Sequence, residues 1–419
     1  MTGGGAMEKS VGGLWAMLWL AAAGTAAQGA ERVQPVAYAA EAPASARVNL
    51  GWNEFRRQWV PTPEISQWDG LGPVFNARSC LECHMGPALA GRVVMPELGP
   101  VAAPGMVLRL GTEAGEGHPD LGRQLQTLGA GGVRGEGRIA LGRSGTGSSE
   151  RPEVSAVLAE PPADLRLAPL LAPSLIGRAA IDRVDEEAIV ALAARQAAEG
   201  RVAGRIGRVM LPDGTEAVGR YGVAAGRASL AAQIADAFAL DMGLSSDFAP
   251  GDAGDCTAAQ QRCLTAQHGP DPWREGHEVA IYEIELIAAY LADKAAPAQR
   301  HAAPAPEAAL FAETGCADCH MPQLPDREGG MVTLYSDLLL HDMGPDLARP
   351  FGADGALWRT APLLALGPYP GRRYLHDGRA GDIDAAIRAH DGEAAPARVR
   401  YAALPEAERA RLVAFLEGL

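Results

Sequence analysis

The sequence predicts a mostly α-helical protein of two similar halves, the first enlarged by loop and small hairpin insertions. Three observations predict it. Amphipathic stretches with recognisable caps recur along the chain, a cysteine motif occurs twice, and a Pro/Ala-rich boundary stands between the two copies. The chain has 419 residues, room for two or three domains of roughly 150 residues each. With 47% hydrophobic residues and no apolar run of the ~18 residues needed to cross a bilayer, it reads as a globular protein rather than an integral membrane one. The 37 basic and 51 acidic residues leave a net charge of −14, which repels phosphate backbones and excludes nucleic acid as a partner. Six cysteines are too few for a disulfide scaffold, so their spacing carries the information.

Lys9 precedes an apolar stretch over residues 11–23, followed by small residues at Ala26, Ala27, Gly29 and Ala30. That pattern predicts a signal peptide over residues 1–29, cleaved after Ala27 or Gly29, and an exported, periplasmic protein with no stable membrane insertion after cleavage. An uncleaved N-terminal anchor is the alternative, and 11–23 is short for one. An oxidising compartment would close a free Cys-x-x-Cys pair into a disulfide unless its thiols are used otherwise.

The first half, residues 30–295, opens on an Ala/Pro-rich lead. Trp52, Phe55 and Trp59 then recur at helical spacing over residues 51–60. Residues 113–160 hold many Gly and Ser without a sustained period and read as a long ordered loop or insertion. Three helices follow: 185–198 ended by Gly200, 230–242 capped by Ser229 and stopped by Gly243, and 278–294. Between the first two, Asp213-Gly214 flanked by apolar residues predicts a hairpin over 207–221. The boundary spans residues 295–306, and the second half, 296–419, has the size of a small cytochrome domain. Helices are predicted there over 307–314, 382–389 and 406–416, the last with Leu412, Phe415, Leu416 and Leu419 on its apolar face.

The repeated motif is Phe75-x4-Cys80-x2-Cys83-His84-Met85, which recurs as Phe311-x4-Cys316-x2-Cys319-His320-Met321. Each letter of Cys-x-x-Cys-His has a chemical reason: two thiols for thioethers to the haem vinyl groups, a spacer of about one helical turn, and an imidazole placed under the iron. A thioredoxin-like dithiol would not need the histidine, and a zinc site would need four converging ligands. The prediction is two covalently bound c-type haems in two cytochrome-c-like haem domains, with His84 and His320 as proximal iron ligands. Met85 and Met321, adjacent to those histidines, cannot reach the opposite face and are packing residues. Cys256 and Cys263 are the remaining thiols; a structural disulfide is the default, and a redox-active pair the rival.

The segments LGPVFNARSCLECH, GRQLQTLGAGGVRGEG, LYSDLLLHDMGPDLA, WRTAPLLALGP and YLHDGRA closely resemble the exported di-haem oxidoreductase family labelled peroxidase or thiol oxidoreductase. The C-terminal half is also similar to bacterial di-haem cytochrome c peroxidases and the related methylamine-dehydrogenase-maturing enzyme. The resemblance implies a peroxide-reactive haem in the first half and an electron-transfer haem in the second. It also implies a sixth ligand for the second haem at a set distance after the histidine of a Tyr-Phe-His-x-Gly-like motif. In YLHDG that histidine is His376, and His390 stands at the family's spacing where Met or Tyr is usual. His320/His390 coordination is therefore the first choice, with His376 near a propionate; Met343 and His341 are rivals, and a surface histidine favoured by a helix end is the plain alternative for His390.

The resemblance further implies a distal Gln and Glu at the first haem, matched in spacing by Gln126 and Glu136, with Glu136 as acid/base. A solvated loop glutamate is the plain alternative, and His118 could instead cap that haem. No role is assigned to Trp52, Trp59, Trp68 or Trp358. Calcium between the halves is a further cofactor the resemblance to related peroxidases leaves open, although no acidic loop here has clear ligand spacing. The implied function is a peroxidase-like oxidoreductase using peroxide or another small oxidant and a small electron-donor protein. A pure electron-transfer protein with both irons six-coordinate, or a thiol oxidoreductase using Cys256 and Cys263, are the alternatives.

Overall fold

Ala44–Arg56 forms helix α1, with Gly51 and Phe55 on its buried side. In this computed structural model the described residues are 1, 42–62, 69–97, 100–145, 150–251, 253–266, 269, 274, 276–296 and 305–419. The signal-peptide reading of residues 1–29 lies outside these apart from Met1, as does Trp68. Short helix α2, Cys80–Cys83, follows an extended Ser79. Helix α3, Glu186–Glu199, starts where Asp185 accepts a hydrogen bond from the Glu187 amide and stops at Gly200 in the left-handed region. Helix α4, Leu230–Ala237, is capped by Ser229 and runs on as a π-helical turn, Phe238–Met242, closed by Gly243.

Helix α5, Gln261–Leu264, is a single turn. Helix α6, Ile281–Ala292, begins with the Glu283 carboxylate receiving the Ala280 amide at 2.9 Å. It lies on α1 at very close range. A Cβ at Gly51 would stand 1.9 Å from the Leu286 carbonyl oxygen, so only glycine permits this crossing. The predicted hairpin is present as antiparallel Gly207–Met210 and Glu216–Gly219. The second half adds α7 (Ala305–Glu313), α8 (Ile383–Arg388), α9 (Ala395–Ala403) and α10 (Glu406–Glu417).

The protein is not mostly α-helical: 32% of it is helix and 22% strand, in many small antiparallel sheets. The expectation of a mostly α protein built from two cytochrome-c-like domains is corrected on that ground. Much of the strand content stands where a loop was expected. Within it Gly137–Ser144 pairs in register with Arg151–Leu158; on either side of that stretch, Met106–Thr112 pairs with Arg166–Leu171. The second strand of the first hairpin alternates between exposed and more buried positions, the signature of a sheet with one wet face. The glycines of the first strand and the arginines and serines of both mask that alternation in the sequence.

The described residues from Ala42 onward pack as one unit. A large core joins Phe55, Trp59 and Phe75 to Ile181, Ile284, Leu338 and Leu364, with Cys80 and Met321 packed against it. A second core gathers Phe311, Tyr335, Tyr401, Leu412, Phe415, Leu416 and Leu419, with Cys316 at its edge. Each cysteine motif is thus seated on packed apolar side chains, and the large core touches both.

Candidate functional site

At the first motif, α2 presents two free thiols, Cys80 and Cys83. Burial pushes the Cys80 thiol up to about 12 and raises Cys83 as well, with the charge of Asp241 adding to both. The His84 Nδ1–H donates to the Leu89 carbonyl at 3.0 Å, which makes Nε2 the nitrogen suited to act as a ligand. Burial pulls this imidazole down to about 4, so it is neutral. Met85 turns away: its sulfur accepts from Arg92 Nη2 at 3.0 Å.

The second motif repeats the arrangement. Cys316 and Cys319 are free, and His320 Nδ1 donates to the Tyr335 carbonyl at 3.0 Å. Both acceptor residues, Leu89 and Tyr335, have positive φ, 46° and 51°. A bulky residue held in that region marks a backbone constrained by its surroundings, and here it aims a carbonyl at a histidine in each half. Opposite His320 stands His390, with ring centroids 6.5 Å apart. His390 Nδ1 donates to the Ala386 carbonyl at 2.7 Å, so its Nε2 is free too. Two imidazoles on either side of one metal, with bonds of about 2 Å plus the half-widths of the rings, need about this separation. Burial lowers both histidines, His320 to about 4, and favours the neutral form a metal requires. The residues present therefore fit a haem at each motif.

Near the first motif lies a network of amides and carboxylates. Gln126 Nε2 donates to the Leu240 carbonyl at 2.9 Å, and Asn76 Nδ2 donates to Gln126 Oε1 at 3.0 Å. The Glu136 carboxylate accepts from the Gln126 amide at 2.7 Å and from Gln260 Nε2. Desolvation lifts Glu136 to about 7, and the nearby charge of Asp255 acts in the same direction. Gln124 Nε2 donates to Asp241 Oδ1 at 2.7 Å.

Asp241, Gln124 and Gln260 were not singled out from the sequence. The available signal is an Asp-Met-Gly triplet at 241–243 that recurs at 342–344. Asp241 sits in the π-helical turn, a rare local form common at functional sites.

Cys256 and Cys263 are joined as a disulfide. The loop it closes grips the network from outside. Asp255 accepts from the Arg123 and Gln124 amides at 2.6 and 2.8 Å, while Gln260 reaches Glu136 and accepts from the Thr257 amide at 2.7 Å.

Of the other described histidines, His341, His118 and His376 are engaged elsewhere. His341 lies between Asp337, 2.8 Å from Nε2, and Glu393, 2.9 Å from Nδ1. Burial pulls its imidazole down, but the two carboxylates outweigh that and push it up to about 12, so both nitrogens are occupied by donation. Met343 is half-buried just beyond this bridge, its amide on the Ala356 carbonyl. His118 has both nitrogens in use, toward Asp164 and the Asp120 amide. His376 is stacked on Trp358 with centroids 3.9 Å apart, and its carbonyl accepts the Leu171 amide. A cavity of about 670 Å³ is lined by Asp377, Arg379, Arg388, Ala389 and Asp391, the last two the chain neighbours of His390.

Residues 153–419 match the family described as "Di-haem oxidoreductase, putative peroxidase". The match takes in the second motif and the disulfide and leaves the first motif outside it. No curated protein and no solved structure matches the chain.

Proposed function

The chain belongs to the di-haem oxidoreductase family, and on that premise we propose that it is an exported, periplasmic peroxidase-like enzyme with two covalent c-type haems. The observation that carries this reading is the unlike surroundings of the two motifs. His320 faces a second imidazole, His390, whereas the first motif has beside it a carboxylate, Glu136, held near neutrality. The second site is then an electron-transfer site closed on both faces, and the first is where a small oxidant such as peroxide meets protein acid/base groups.

Cys80, Cys83 and His84 would hold one haem, and Cys316, Cys319, His320 and His390 the other. When bound, the haem iron supplies the electrons for O–O cleavage. The protein supplies the proton traffic. Glu136, ionised, takes a proton from the inner peroxide oxygen onto a carboxylate oxygen and returns it to the outer one, which departs as water. Both of its oxygens are anchored, by the Gln126 amide and by Gln260, so the carboxylate does not need to reorganise between the two transfers. Gln126, whose amide is fully engaged by Leu240 and Asn76, orients the backbone that holds Glu136. Two electrons from a small donor protein and two protons from solvent complete the reduction of the other oxygen to a second water, so that one peroxide gives two waters. Glu136→Gln in the two-haem protein tests the reading: peroxide turnover is expected to fall at least about 100-fold with the visible spectrum unchanged, and undiminished turnover would overturn it.

A further inference from the structure

Arg178, Arg359 and Arg372 are cations without carboxylate partners. Arg178 Nε donates to the Ser174 carbonyl at 2.7 Å; Arg359 donates to the Gly222 and Thr360 carbonyls at 2.8 and 3.2 Å. Arg372 donates to the Ala365 carbonyl at 2.6 Å and lies over the rings of Tyr369 and Tyr374. Among the described residues no ion pair joins any of the three to an acid, and the Nη groups of Arg178 take no hydrogen bond. Burial pulls Arg178 down to about 9, and the charges of Arg359 and Arg372 push it the same way. Like charges gathered in a desolvated place persist only where an anion answers them.

Their position ties them to both motifs. Ser174, which receives Arg178, donates its hydroxyl to the Ala88 carbonyl at 2.9 Å, next to the Leu89 carbonyl that orients His84. Thr360, which follows Arg359, receives the Ser336 hydroxyl at 2.7 Å. The amides of Ser336 and Asp337 donate to Met321 and Cys319 of the second motif. One turn joins the two arginines: the Tyr221 hydroxyl meets the Arg178 carbonyl, and the Gly222 carbonyl takes Arg359 Nε.

We infer that Arg178 and Arg359, with Arg372 beside them, form a cationic bridge between the two sites that binds the propionate carboxylates of the haems. The bridge rests on the two-haem reading. A planar guanidinium fork suits a carboxylate, and Arg178 serves the first site while Arg359 serves the second. A cation beside a haem disfavours its more positive ferric state, so each arginine raises the midpoint potential of the haem it holds.

The test is spectroelectrochemical titration of the holoprotein, after a pyridine haemochrome count. In Arg178→Gln the first haem's midpoint is expected to fall by about tenfold in its reduction equilibrium, about 59 mV for one electron. In Arg359→Gln the second haem's midpoint falls by as much. Unchanged midpoints in both variants, each holding two haems, would overturn the bridge. A wild-type protein without two c-type haems would overturn the reading beneath it as well.

Should a Gln variant fail to accumulate, resonance Raman of wild type and Arg178→Lys keeps the test sharp. Lysine preserves the charge and loses the fork, so the propionate-bending modes are expected to shift; unshifted modes would contradict the contact.

Discussion

Glu136 holds its proton near neutrality because its carboxylate is desolvated in a place where only an amide and a side-chain amide answer it. Only the ionised form can accept a proton from peroxide. Turnover is therefore predicted to rise with pH through about 7 and to be lost below it, a profile that Glu136→Gln should abolish in steady-state assays from pH 5 to 9. His390 carries a separate prediction. His390→Met should keep the second haem low-spin and raise its midpoint, since a His/Met pair has the higher potential, and redox titration reads the direction. The histidines of the Cys-x-x-Cys-His motifs were legible because spacing alone implies their chemistry. The positive φ of Leu89 and Tyr335 was not, since neither leucine nor tyrosine signals a left-handed backbone.

Among elements, the loop closed by Cys256 and Cys263 does the most for the first site. It carries Gln260 to Glu136 and holds Asp255, just before Cys256, on the Gln124 amide. Replacing both cysteines by serine is expected to cost about 2–3 kcal/mol of stability, read by denaturant unfolding. It should also move the pH midpoint of turnover downward as Glu136 regains water. An unchanged midpoint would mean the loop does not hold the carboxylate. The α1–α6 crossing is equally specific: Gly51→Ala drives a methyl into the Leu286 carbonyl and should destabilise by about 1–3 kcal/mol. Helices α3, α4 and α10 could be read from their caps and apolar faces. The hairpin over Gly137–Ser144 and Arg151–Leu158 could not, because arginine and serine in both strands, with glycine in the first, mask the two-residue period.

At the scale of the whole molecule, the doubled motif and the family resemblance could be read from sequence, while the packing of both motifs on one large core could not. That core brings together residues far apart in the chain, from Phe55 to Leu364, and no local pattern encodes the meeting. In the proposed function the two sites divide the labour, one closed by two histidines and one open to oxidant. Electronic absorption and EPR of the holoprotein, before and after hydrogen peroxide, test that division most directly. One low-spin haem and one high-spin ferric haem are expected, with peroxide changing the signal of the latter. Two low-spin haems, silent to peroxide in both the oxidised and half-reduced protein, would contradict it and leave an electron carrier.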